Sequence, residues 1–163
     1  MKLSEFIIPE AIVANLKATD RDGAIRELVT SLADAGALPK AAVDEVVTAL
    51  VKREQNGSTG FGKGVAVPHT KHAKVKRMSG TIGRSEAGID FASLDHLPVY
   101  SVVLLLSPVP EDEEGKQKMA SQHLAAMNIV FSNLQKDMFR RFLRQSTTRE
   151  AIVELLEEAD AGK

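Results

Sequence analysis

The chain contains no cysteine. That excludes disulfides and a thiolate zinc site, and it fits a reducing cytoplasm, the compartment expected for it. Long hydrophobic runs are missing too. The longest, Val102 to Leu106 with its flanks, falls far short of the ~20 apolar residues that cross a bilayer, so no membrane insertion is expected. The opening MKLSEFIIPE places Glu5 and Pro9 inside any apolar stretch, which argues against a signal peptide. Nor is there an excess of one charge: 21 Lys and Arg stand against 22 Asp and Glu, a net charge of −1, which argues against a dedicated nucleic-acid binder. The basic run Lys71–Arg77 is short and lacks interleaved aromatics, so it reads as a solvated strand entry, with a docking patch for an acidic partner as the second reading. No repeat, low-complexity segment or domain boundary interrupts the chain. Its 163 residues, 44% hydrophobic and 26% charged, suit one domain over residues 1–163.

Glycine, by contrast, is concentrated. Arg53 to His69 reads REQNGSTGFGKGVAVPH, with Gly57, Gly60, Gly62 and Gly64 inside eight positions. Such density opens backbone conformations closed to other residues and lets N–H groups converge on an anion. A histidine fixed after Pro68 at the lip of such a loop is placed for chemistry on that anion. The residues therefore suggest a phosphoryl group on His69, with Arg53 and the loop amides around its oxygens. Two other phosphate loops fail. Gly57 to Lys63 matches G-x-x-x-x-G-K, but position 64 is Gly where a nucleotide-binding loop needs Ser or Thr, and the helix and strand contexts are reversed. The dinucleotide pattern G-x-G-x-x-G fails because its third glycine falls at Val65.

Arg53-Glu54, Gly57-Ser58-Thr59-Gly60-Phe61-Gly62 and Val65-Ala66-Val67-Pro68-His69 closely resemble the type-2 EIIA domain of the bacterial phosphoenolpyruvate-dependent phosphotransferase system, its fructose, mannitol and nitrogen-regulatory branch. The resemblance implies that His69 is the phosphorylated residue. It also implies a path from phosphoenolpyruvate through enzyme I to the histidine-containing phosphocarrier protein and on to His69, without cofactor or metal, because the group arrives already activated on a histidine. There are departures. Phe61 stands where Ile is usual, Lys63 where Asn is usual, and Thr70 where Gly is common. About ten residues look inserted before the His123-Leu124 pair.

The periodicities predict an α/β fold, a three-layer α/β/α sandwich on a small mixed sheet in the order β-α-α-β-β-β-α-α-α. Residues 11–17 read as a short strand. Thr19 or Asp20 caps a helix carrying Ile25, Leu28, Val29, Leu32 and Ala35, ended by Gly36. Pro39 opens a second helix with Val43, Val46, Val47, Leu50 and Val51 on one face. Strands follow at Val65–Pro68, Met78–Gly83 and Val99–Leu106, with a polar linker at Ser85–Asp95. Pro110–Gly115 reads as a mobile acidic loop. Helices are expected over Lys116–Leu134 and Asp137–Leu143, and a third behind a capping box from Thr147 to Glu150.

A histidine carrier needs a neutral imidazole with one nitrogen free to attack and the other held by a hydrogen bond. Arg53, at the end of its helix, offers a planar donor fork, though an Arg there also complements the helix dipole. Gly60, Gly62 and Gly64 offer N–H donors, and Ser58 or Thr59 a hydroxyl. His123 offers a proton to a phosphoryl oxygen; its other reading is a half-buried structural histidine, and the insertion separates it from His69 in sequence. His72 forms an H-x-x-H pair with His69, but lysines and Arg77 surround it and no third metal ligand is evident. His96 reads as surface. Phosphorylation is expected to place charge beside Lys63, Lys71 and Lys74, with the acidic segment Glu111–Glu114 as a second readout. The free-standing chain points to a nitrogen-type regulator. The alternatives are a sugar-specific component that passes phosphate to an EIIB cysteine, and a non-catalytic binding module or scaffold on the same fold.

Overall fold

The computed structural model describes residues 1–162. Two helices open it, α1 (Arg21–Asp34) and α2 (Val43–Asn56). Five strands follow: β1 (Gly60–Gly62), β2 (Val65–Ala66), β3 (His69–Lys71), β4 (Ser79–Ile89) and β5 (Val99–Ser107). Three helices close it, α3 (Glu113–Leu134), α4 (Asp137–Gln145) and α5 (Arg149–Asp160).

β5 is the axis. It pairs in parallel with β2 and β3 on one edge and antiparallel with β4 on the other. Its apolar run VYSVVLLLS is buried on both faces because alternate side chains enter two different cores. Val102, Leu104 and Leu106 pack with the stripes of α1 and α2, while Val103 and Leu105 pack with α3, α4 and α5. The three layers follow from that alternation. On α2, Val43, Val46, Val47 and Leu50 are all buried, each burial contributing about 1.5–3 kcal/mol. Asp20, not Thr19, caps α1, its carboxylate accepting the Gly23 N–H at 2.6 Å.

Several expected boundaries move, each for a local reason. Residues 11–17 form no strand. Pro9–Ala11 is a 3-10 turn, which limits this segment to scattered bonds along β4: the N–H groups of Ile8, Val13 and Leu16 donate to Gly80, Ile82 and Arg84 carbonyls. The stretch expected to be one strand at Val65–Pro68 is divided. Pro68 has no N–H to extend the ladder, so β2 stops and β3 restarts at His69 on the same edge of β5. Ser85–Ile89 is not linker; it continues β4, and Ile89 pairs with Val99. The second helix begins as a 3-10 turn at Lys40–Ala42. Thr148 caps α5, accepting the Ala151 N–H at 3.1 Å, one residue past the expected capping box.

The acidic segment is a loop only as far as Asp112. Asp112 caps α3 by accepting the Gly115 N–H, and Glu113 and Glu114 fill the first turn, where carboxylates complement the helix dipole. The extra residues thus lengthen a helix. Its buried positions begin only at Ala126, and the first two turns stand clear of the sheet.

β1 and β2 form a hairpin through Lys63 and Gly64, with φ of 60° and 79°. Both central residues are left-handed, the geometry of a type I′ turn, which favours Asn-Gly. Lys63 holds this conformation with its N–H donated to Asp95 Oδ2 at 2.9 Å. A non-glycine residue there costs ~1 kcal/mol, part of which Asn recovers. Lys63→Asn is therefore expected to raise Tm by about 1–3 °C, given about 2–4 °C per kcal/mol at this size. An unchanged or lower Tm in a thermal melt would show that the lysine side chain offsets its own backbone cost.

Candidate functional site

The site forms where the division of the sheet edge at Pro68 meets α3. His69 opens β3 opposite Leu105. Its Nδ1 lies 2.8 Å from the Val67 carbonyl oxygen. A carbonyl can only accept, so Nδ1 carries the proton and Nε2 of the neutral ring keeps its lone pair. The ring is half-buried, held from one side and open on the other. Val67 N–H donates to Thr59 and Leu105 N–H to Pro68. The ladder thus passes around the Val67 carbonyl and leaves it for the imidazole.

His123 comes from the third turn of α3. Its ring centroid is 5.7 Å from that of His69, with planes inclined by 48°. Its Nδ1 lies 2.5 Å from Oγ of Ser107, the last residue of β5 and fully buried. Burial, then the neighbouring His69 and Lys71, pushes the His123 imidazole from its ordinary 6.5 down to about 4. At neutral pH the site therefore holds two imidazoles, one of them firmly uncharged.

The glycine loop is built from inside. Glu54 is buried, and its carboxylate accepts both the N–H of Thr59, at 3.1 Å, and the Thr59 hydroxyl. Ser58 Oγ donates to the Phe91 carbonyl and accepts the Gly60 N–H at 2.9 Å. Gly60 is closely covered: a Cβ there would lie 2.3 Å from Ser93 Oγ. That oxygen is the single buried side-chain polar atom without a partner among the described residues. Arg53, in the last turn of α2, is exposed, and its Nη1 donates to the Gly57 carbonyl at 2.5 Å. It closes the helix end at the mouth of the loop and leaves most of its donor fork free.

A family model for the phosphoenolpyruvate-dependent sugar phosphotransferase system EIIA 2 matches residues 5–159. The chain belongs to that EIIA type-2 family. A nitrogen regulatory protein of Bradyrhizobium diazoefficiens is 35% identical over 156 residues, 96% of this chain and 95% of that protein. A fructose-specific EIIABC component of Bacillus subtilis is 31% identical over 161 residues, 98% of this chain, but the chain spans only 24% of that relative's length. The crystal structure of nitrogen regulatory protein IIA-Ntr from Neisseria meningitidis has a TM-score of 0.77 at 28% identity, covering 94% of this chain and 98% of that one.

Within this EIIA domain the predicted residues separate into groups. His69 and His123 come together, so the insertion does not carry His123 away. Ser58, Thr59 and Gly60 commit their donors to partners inside the protein, while Gly62, with φ of 102°, and Gly64 shape the hairpin. The three lysines part company. Lys71 is close enough for its charge to act on His123, Lys74 Nζ is paired with Glu45 at 2.8 Å, and Lys63 lines a cleft at the other end of β5. His72 is occupied, its Nδ1 accepting the Lys74 N–H and its Nε2 3.6 Å from Glu45. His96 is exposed in a turn at φ of 61°. Ser107 and Asp95 escaped the sequence reading. The only signal for Ser107 is a hydroxyl closing an apolar strand, and Asp95 has none beyond its place among turn residues.

The depressed His123 sets a pH dependence. Between 6.5 and about 4 the unfolded chain holds a proton on His123 that the fold refuses. Stability therefore rises with pH there: its contribution is complete above 6.5 and is lost as pH falls toward 4. Allowing for the half-solvated ring, the loss is about 1–2 kcal/mol. Urea unfolding across that range should show a shallower pH slope for His123→Gln than for the wild type. Equal slopes would mean that His123 is not the group responsible.

Proposed function

We propose that this chain is a phosphocarrier that takes a phosphoryl group on His69 Nε2 from the histidine-containing phosphocarrier protein and works as a nitrogen-type regulator. The observation that carries the reading is the bond from His69 Nδ1–H to the Val67 carbonyl, which presents Nε2 as the nucleophile. Nε2 attacks phosphorus as the P–N bond to the donor breaks, and the Val67 carbonyl stabilises the positive charge that develops on the ring. Transfer through a loose transition state asks for positioning and charge stabilisation rather than covalent help. Ser107 Oγ–H donates to His123 Nδ1, which leaves Nε2–H of His123 as a donor to a phosphoryl oxygen. Arg53 supplies a permanent charge, and the glycine loop is the frame that fixes it.

The regulatory reading is supported by the nitrogen regulatory relative that matches along 95% of its own length. The fructose-specific relatives support a second reading, in which His69 passes its group to a cysteine of an EIIB partner. Both require the same acceptor. Phosphorylation adds about two negative charges at neutral pH, and Lys71 is the cation placed to meet them.

Incubation with the phosphorylated carrier protein is expected to add one phosphoryl mass to the wild type and none to His69→Ala, with the label lost in acid and kept in base. Equal labelling of the variant in an intact-mass spectrum would remove His69 as the acceptor. Arg53→Ala is expected to slow labelling roughly a hundredfold, the effect of about 3 kcal/mol at a transition state. Arg53→Lys should recover only part of the rate, because the planar fork is gone. Wild-type kinetics in the alanine variant would leave Arg53 as a helix-end cap.

A further inference from the structure

A second cleft of about 960 Å³ lies at the far end of β5 from His69. Its walls are the hairpin tip at Lys63 and Gly64, the start of β5 at Tyr100, and α4. His69 pairs with Leu105 and Val65 with Ser101, so the cleft is four residues, ~13 Å, further along the strand. We propose that this cleft binds a small polyanion, a metabolite carrying phosphate or several carboxylates. The inference does not depend on the phosphocarrier reading.

Charge is the first ground. Lys63, Arg84, Arg140, Arg141 and Arg144 line the cleft against only Glu86 and Asp137, five cations to two anions, in a chain whose net charge is −1. Some of these cations are already used. Arg84 is buried, donates to the carbonyls of Ala14 and Arg144 and to Asn15 Oδ1, and pairs with Glu86 at 2.7 Å. Arg140 and Arg141 share Asp137. Among the described residues, Lys63 and Arg144 have no carboxylate partner. These two carry two of the three uncompensated charges; the third belongs to Arg140 and Arg141, which have one carboxylate between them.

Preorganisation is the second. The Arg144 guanidinium lies over the Tyr100 ring, 3.5 Å from its centroid. Stacking fixes the plane of the cation while its N–H edge stays available for bidentate contact with an oxyanion. Lys63 is the third. A lysine is kept at a left-handed position that Asn fills better, and strain retained at one residue is a reason to look for a role. Lys63 lines this cleft, at the far end of β5 from the histidines. The volume falls in the range of small-molecule sites.

The chain carries one tyrosine and no tryptophan, so emission excited in the tyrosine band, where its six phenylalanines do not absorb, reports on this cleft. Titrating the full chain with inorganic tripolyphosphate should change Tyr100 emission saturably, with calorimetry giving the same affinity. Citrate in a parallel titration separates phosphate from carboxylate preference. Arg141→Ala with Arg144→Ala should weaken binding by tenfold or more in calorimetry, and Lys63→Asn by about threefold. The double variant should still accept phosphate on His69 at the wild-type rate, and His69→Ala should bind tripolyphosphate as the wild type does. Loss of binding in His69→Ala would place the anion at the histidines and overturn the proposal. So would an equal emission change with chloride at matched ionic strength, which marks general screening, or unweakened binding by the double variant.

Discussion

One hydrogen bond orients the candidate site of this domain, the donation of His69 Nδ1–H to the Val67 carbonyl. Pro68 joins β5 only through its carbonyl, which accepts the Leu105 N–H, and the Val67 carbonyl lies outside that pairing. β5 is paired by β2 before the proline and by β3 after it, and the Val67 carbonyl between them turns to the ring. The tautomer then follows from the backbone alone. The free nitrogen of His69 is thereby Nε2.

Around that bond the loop works as a frame. The density of glycine suggests convergent amides for an anion, yet the donors of Ser58, Thr59 and Gly60 are satisfied by Glu54, Phe91 and each other. Glu54, in the last turn of α2, is the buried anchor of the loop. Gly60 is needed for packing, since Ser93 occupies the space a side chain would take. The loop's rigidity, more than its N–H count, holds Arg53 at the Gly57 carbonyl.

His123 shows why distance in sequence misleads at this site. Ten extra residues before it suggested a histidine moved out of reach. They wind into the first turns of α3, beyond the sheet, where nothing constrains the helix length. The position of His123 is set from its other side, by the buried stretch from Ala126 to Leu134 and by Ser107 at the end of β5. Growth at the free end of a helix leaves the packed end in register.

From its residues alone the chain determined its family, the histidine proposed as acceptor, both opening helices and the buried central strand. Each rests on a local pattern, the glycine-rich motif with Pro68-His69 or an apolar repeat at helical or strand spacing. The tertiary structure decided what depends on contacts between segments far apart. The pairing with β5 divided one expected strand in two and extended β4 into an expected linker. The meeting of β5 with α3 brought His123 to His69 and burial made it neutral, and the hairpin placed Lys63 at the far end of β5 from the histidines. Short polar strands and side-chain directions carry no periodic signal, because the partner that stabilises each of them lies tens of residues away.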